Sequence, residues 1–251
     1  MSTQVVRGQL IVSEEAAQVA EQAATHLGRA LQKAASVRGY ATLALSGGNT
    51  PRAAYARLAH DPGVDWGKVR VFWVDERAVP PTDDRSNYRW AKATLLDAAR
   101  VPAEHVYRMQ AERPDADAAA RDYERVLLRG STDFDANGVP CLDAVVLGVG
   151  DDGHTASLFP GEPTVEIMDR LVVAVAAKPG REARMTLTAP VLQSSQHVFV
   201  LAVGHTKNQP LLRVWDIQGN VRDTPARIVR DCRGAVTWLV DRAAAGLTAG
   251  G

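Results

Sequence analysis

Three short segments carry side chains whose types and spacing could do chemistry. The first is Ser46-Gly47-Gly48-Asn49-Thr50-Pro51. Adjacent glycines let the backbone approach a ligand closely, and a helix opened by Pro51 would point free N–H groups at it. Together these describe an anion site, most often one for phosphate. The same residues also suit a plain turn with Asn49 or Thr50 as a helix cap. The second segment, Asp75-Glu76-Arg77, sets two carboxylates and a guanidinium at one strand edge. They could face hydroxyls and phosphate, or form local ion pairs on a solvated loop. The third is Gly148-Val149-Gly150-Asp151-Asp152-Gly153-His154. A histidine on such a loop can take or give a proton near neutral pH, and Asp152 is close enough to orient it.

The third segment also matches G-x-G-x-x-G, but its context does not suit a dinucleotide. That fingerprint needs a full crossover helix behind the third glycine. Here Pro160-Gly161 follows after one or two turns, and the acid expected about 20 positions on has only Asp169 as a candidate. His26, His60, His105, His197 and His205 lack a neighbourhood like that of His154. A later basic set, Arg181, Arg184 and Lys207, supplies two forks and a point charge suited to phosphate. Each of these alone also fits an ordinary solvated side chain.

The elements that must position these segments alternate between apolar runs and helical periodicity, which predicts an α/β fold with a largely parallel sheet. Strands are expected near Val5 to Val12, Ala41 to Leu45, Val69 to Val74, Cys141 to Leu147, Leu171 to Ala176, Val198 to Val203 and Ala235 to Val240. Ser13 with Glu14 and Glu15 predicts a helix start, and Ala16, Val19, Ala20, Ala23, Leu27 and Leu31 carry that helix to about Ser36. Ser86-Asn87 should cap a helix to about Leu96, and another helix is expected over Ala116 to Leu128. A short helix should begin near Lys207. In open parallel sheets ligands bind beyond the carboxyl ends of strands, and all three segments fall at such ends.

The composition bounds the class. Twenty-nine basic residues against 29 acidic ones give no net charge in 251 residues. This offers no footprint for nucleic acid and no reason to invoke an anionic membrane surface. Cys141 and Cys232 are too few for a disulfide framework. No apolar run suggests a signal peptide or a membrane span, so a cytoplasmic protein is expected. Thr132 to Pro140 is the most loop-like stretch and does not by itself divide the chain, which reads as one domain over 1–251.

Ser46 to Pro51, Val74 to Arg77, Gly148 to Pro160 and Gly204-His205-Thr206-Lys207 occur in that order. The set resembles the glucosamine-6-phosphate isomerase/6-phosphogluconolactonase family over roughly Leu43 to Val240. The resemblance implies a Rossmann-like α/β sandwich with a mostly parallel sheet flanked by helices, as in the deaminase-like fold. It implies His154 as catalytic acid–base and Asp152 as its close partner. Ser46, Gly47, Gly48, Asn49 and Thr50 match the phosphate-side loop. Arg184 and Lys207 match the residues holding the 6-phosphate, Arg77 joins them or the sugar hydroxyls, and Asp75 positions substrate. Asp151 occupies a variable position and receives no role. The deaminase branch has a glutamate where this chain has Phe159, which favours the lactonase branch.

The expectation is therefore hydrolysis of 6-phospho-D-glucono-1,5-lactone by a monomer without metal or cofactor, with no nucleic-acid or membrane partner. The alternatives are a deaminase or isomerase of the same fold, and a sugar-phosphate-binding regulator without catalysis.

Overall fold

The computed structural model describes residues 4–247, so the ends of the span 1–251 lie outside the described residues. In chain order the elements are β1 (Gln9–Ser13), α1 (Ala16–Arg38), β2 (Ala41–Leu45), α2 (Asn49–Leu58), β3 (Val69–Trp73), β4 (Asp75–Arg77), α3 (Asn87–Ala91), α4 (Ala116–Gly130), β5 (Ala144–Gly148), β6 (Val172–Val175), β7 (Arg184–Leu187), α5 (Ala189–Ser194), β8 (His197–Ala202), α6 (Asn208–Trp215), β9 (Ala235–Asp241) and α7 (Arg242–Ala245). Six strands form a parallel sheet in the order β1-β9-β8-β5-β2-β3. A second, antiparallel sheet has the order β4-β7-β6.

All five residues of β2 are buried, as expected of an inner parallel strand covered on both faces. Helix α1 buries Val19, Ala20, Ala23, Leu27 and Leu31, the apolar stripe of the sequence, and packs on α2, β2 and β9. Its end is set by Gly39 in the left-handed conformation, whose N–H returns to Ala35 O. Next to β2, buried Asp143 accepts from Thr42 N (2.8 Å) and Thr42 Oγ1 (3.0 Å). It also pairs with Arg38, so a charge at the foot of the central strand pair is matched on both sides. Cys141 and Cys232 are free thiols; burial pushes Cys232 up to about 12.

Several boundaries differ from the sequence reading. The first strand begins at Gln9 rather than Val5, and Val5 N instead donates to Trp215 O at 2.7 Å. Ser13 does not cap α1. It pairs with Asp241 as the last residue of β1, and Glu15 takes the cap position without a side-chain bond. Helix α2 begins at Asn49, so Pro51 stands third, where its missing N–H still falls among the unpaired donors of a first turn. Ser86 does cap α3, its Oγ accepting from Arg89 N at 3.2 Å, and the chain continues as a π-type turn over Lys92–Leu96.

The larger correction concerns Asp75-Glu76-Arg77, which is a short strand of the second sheet rather than a loop. Val74 is where the chain changes sheets. Its N–H donates to Leu45 O (2.9 Å) and its carbonyl accepts from Leu187 N (2.7 Å), so one residue is bonded to both sheets. No helix among the described residues is long and apolar enough to cross a membrane.

His197, at the start of β8, stacks on Phe199 with ring centroids 3.9 Å apart and meets Thr237 Oγ1 at 2.9 Å. Burial first, then His26 and Lys33, lower its pKa from 6.5 to about 4. The folded state therefore keeps this ring neutral while the unfolded chain protonates it below about 6.5. Stability is unaffected above that pH and falls as pH drops from 6.5 towards 4. Melting temperature should decline between pH 6.5 and 5, and the decline should be shallower in His197→Gln; an equal slope in both proteins would contradict the assignment.

Candidate active site

The strand order reverses between β2 and β5. From β2 the chain adds β3 on one side, and β5, β8 and β9 on the other. Loops leaving the carboxyl ends of two such strands diverge and leave a crevice. A cleft of about 490 Å³ opens there, lined by the segment after β2, by Gly148 to Gly150 and His154 after β5, and by Asp75, Arg77, Asn87, Arg184 and Lys207. Of the site residues expected from sequence, all but Asp152 and Arg181 line it, and Asp152 touches the lining residue His154.

The glycine loop leaves a row of backbone donors facing the cleft. Gly48 is the N-cap of α2 with φ 108°, a conformation that costs an L side chain strain. No protein acceptor takes the N–H of Gly47, Gly48, Asn49 or Thr50 among the described residues. These are the unpaired donors at a positive helix end. Ser46 is held differently: its N–H donates to Tyr55 Oη (3.0 Å), which donates back to Ser46 O. Ser46 Oγ is buried without a partner. Gly47 must lack a side chain for a different reason, since a Cβ there would lie 1.9 Å from Asn87 Oδ1.

Asn87 was read from sequence only as part of a helix start. In the structure its Nδ2 donates to Asp75 O (2.9 Å) and Asp75 Oδ1 (3.1 Å). Ser157 Oγ, fully buried, donates to Asp75 Oδ2 at 2.7 Å, and Arg184 Nη1 lies 3.7 Å from the same oxygen. Asp75 is thus fixed by three separate parts of the chain. Glu76 points the other way. It accepts from the N–H groups of Arg77, Asn87 and Tyr88 and from Ser86 Oγ at 2.7–2.9 Å. Burial still pushes its pKa up, against the pull of those bonds. Glu76 therefore anchors the start of α3, and with it Asn87, rather than facing substrate. A Ser-Asn pair after two acids was the available signal; the long-range partner Ser157 left none.

His154 lies 4.7 Å, centroid to centroid, from the ring of Phe159. Its Nδ1 is 2.6 Å from Asp152 Oδ1, which also accepts from the His154 backbone N–H. Burial raises the Asp152 pKa, but the bonds from His154 outweigh it and hold it at about 2. An ionised acceptor assigns the ring proton to Nδ1, which leaves Nε2 with its lone pair. Gly150 allows this approach, because a Cβ there would meet Nδ1 at 2.0 Å.

The basic side chains divide. Arg184 is mostly buried, and burial lowers its pKa more than Asp75 raises it. Arg77 donates from Nη1 to Arg85 O at 2.5 Å, and its Nε is buried without a partner. Lys207 follows the turn at Gly204 and pairs with Asp151 at 2.6 Å. Arg181 lies apart from the cleft lining: it pairs with Glu162 at 2.7 Å and stacks 3.9 Å over Phe159. Phe159 is buried between these groups, its ring shared by His154 and Arg181. Among the described residues no group of three or more His, Cys, Asp or Glu is placed to hold a metal.

The cleft thus brings together backbone N–H groups without a protein acceptor, a buried carboxylate held by three partners, and an imidazole paired with a carboxylate. A model of the family described as glucosamine-6-phosphate isomerases/6-phosphogluconolactonase matches residues 14–238. The chain is 37% identical over 216 residues to a 6-phosphogluconolactonase of Synechocystis sp., covering 85% of this chain and 87% of that one. It is 34% identical over 245 residues to one of Streptomyces coelicolor, covering 94% and 93%. The crystal structure of 6-phosphogluconolactonase from Leishmania guyanensis superposes with a TM-score of 0.84 at 30% identity, over 98% of this chain and all (100%) of that one. A monomeric glucosamine-6-phosphate deaminase shares the fold, with a TM-score of 0.78 at 20% identity over 95% and 99%. The chain belongs to the glucosamine-6-phosphate isomerase/6-phosphogluconolactonase family.

Proposed function

We propose that this protein hydrolyses 6-phospho-D-glucono-1,5-lactone to 6-phosphogluconate, the lactone-opening step of the oxidative pentose phosphate pathway. The observation that carries the reading is a single cleft holding both the unpaired N–H groups of residues 47–50 and a histidine whose Nδ1 is committed to Asp152. The 6-phosphate sits on the N-terminus of α2 with Lys207 and Arg184, so substrate freedom is lost before the chemical step. Asp75, fixed by Ser157 and Asn87, orients the sugar through its hydroxyls.

His154 Nε2 then removes a proton from water as the oxygen attacks the lactone carbonyl. The carbonyl–ring-oxygen bond breaks, the imidazolium returns a proton to that oxygen, and ionised Asp152 stabilises the charged ring meanwhile. A lactone is an activated acyl group, so the scheme uses no protein nucleophile. Gly150 N and Gly153 N are taken by His154 O and Gly150 O, so these two donors are not a hole for the oxyanion. The developing charge falls instead to Arg77, the cleft guanidinium not assigned to the phosphate. Phe159, in place of a carboxylate, supports hydrolysis over deamination.

The test is turnover of freshly made 6-phosphogluconolactone, corrected for spontaneous opening, beside an assay for ammonia from glucosamine-6-phosphate. Lactone opening without ammonia is expected, and the converse would assign the cleft to a deaminase. His154→Ala should lower kcat by roughly 10²–10⁴-fold with an unchanged melting temperature; near-normal turnover would remove His154 from the chemistry. Lys207→Met should raise KM for the phosphorylated lactone by about ten- to a hundredfold, as expected for a lost charged hydrogen bond. Activity on unphosphorylated gluconolactone should change little, and an equal loss on both substrates would reassign Lys207. The proposal includes a cytoplasmic monomer acting as one unit, which light scattering would check against the chain mass of 27.0 kDa.

A further inference from the structure

Asp151 has no part in the scheme above, yet it makes the contact that most directly touches the phosphate cradle. Its Oδ1 lies 2.6 Å from Lys207 Nζ, joining positions 56 apart in the chain. No other acceptor among the described residues takes the Lys207 ammonium. Lys207 lines the cleft and Asp151 does not, so the pair straddles the rim. The acid's side chain is 66% exposed and the lysine's 26%.

The two partners differ in how firmly they are held. The backbone of Asp151 is fixed by Arg213 Nη2, which donates to its carbonyl at 3.2 Å. The turn Gly150–Gly153 closes around it with a 2.9 Å bond. Lys207 carries its charge on four flexible methylenes. If either group moves, it is the ammonium. An exposed ion pair contributes only a few-fold to an equilibrium, so it opens readily for a stronger anion. A phosphate dianion is such an anion, but Asp151 stays close and repels it.

We infer that Asp151 is a counter-ion latch on Lys207: it parks the ammonium at the rim, yields it to the substrate's phosphate, and sets how tightly the cleft retains anions. The inference rests on the reading of Lys207 as a phosphate ligand. It assigns a specificity-setting role to the position of the loop that the family resemblance left without one. Such a latch loosens substrate and product alike, and the product, carrying a carboxylate as well as the phosphate, is the more anionic of the two. A retained product would slow every cycle.

The test is Asp151→Asn, which keeps the size and an acceptor oxygen while removing the charge. Binding of 6-phosphogluconate and of inorganic phosphate is measured by calorimetry at low and at physiological ionic strength. The dissociation constant of 6-phosphogluconate should fall by about three- to tenfold at low salt, from the lost competitor and the lost repulsion. The gain should shrink as salt screens it. It should shrink to the smaller share left by repulsion alone when Asp151→Asn is made in Lys207→Met, and Asp151→Glu should retain wild-type affinity.

Unchanged or weaker binding in Asp151→Asn would overturn the latch and make Asp151 a support that aims Lys207. The same gain in the Lys207→Met background would overturn it too. The outcomes separate from those of the lactonase reading. Tighter binding through Lys207 in a protein that opens no phosphogluconolactone upholds the latch and removes the substrate. Active lactonase with no tightening does the reverse.

Discussion

The cleft depends on one buried carboxylate. Asp75 is 4% exposed, and a charge so placed is tolerated only where each oxygen finds a partner. Those partners come from three distant segments. Ser157 follows the histidine loop, Asn87 opens α3, and Arg184 begins β7. Meeting the demands of a single side chain therefore sets the spacing of the loops around the substrate space. Glu76, next in sequence and facing away, secures the same arrangement from behind by holding the N–H groups that start α3. Two adjacent acids on a short strand thus divide the work: one faces the site and the other fixes its wall.

The two glycine segments serve different ends. In the first, missing side chains leave backbone donors bare and let Asn87 come close to Gly47. In the second, Gly150 and Gly153 spend their N–H groups inside the loop, and the missing Cβ makes room for an imidazole. The first segment is an electrostatic surface, whereas the second is a mount. This division explains why the chain can carry a dinucleotide-like glycine pattern with no dinucleotide architecture behind it.

What could be read from sequence was what is local. Strand and helix periodicity, the Gly47-Gly48 loop, the Ser86 cap and the Asp152–His154 pair all depend on neighbours within a few residues, and they lie where the sequence placed them. The strand at Val172–Val175 was expected, but its antiparallel pairing with two further strands of three and four residues was missed, these being too short for a period of two to stand out. The role of Ser157 was missed because it acts across the chain, 82 positions from Asp75, and that of Asn87 because its helix-start position masked a contact only 12 positions away. Ser13 misled because a serine before two acids is a sound cap signal that pairing with Asp241 overrode. Arg181 was grouped with Arg184 by sequence proximity, but its guanidinium belongs to Phe159 and Glu162.

The reversal of strand order between β2 and β5 also bears on how the molecule assembles. The central pairing joins Leu43 to Ala144 across 101 positions, and the walls of the crevice leave from the far ends of those same two strands. A chain growing from its N-terminus has the glycine loop early but no second wall until β5 arrives. Closing a loop of that length is entropically slow relative to local contacts. The cleft is therefore a property of the finished sheet, with no partial version available to an incomplete chain. Any ligand that bridges the two walls also braces the β2–β5 pairing, a contact between positions 101 apart.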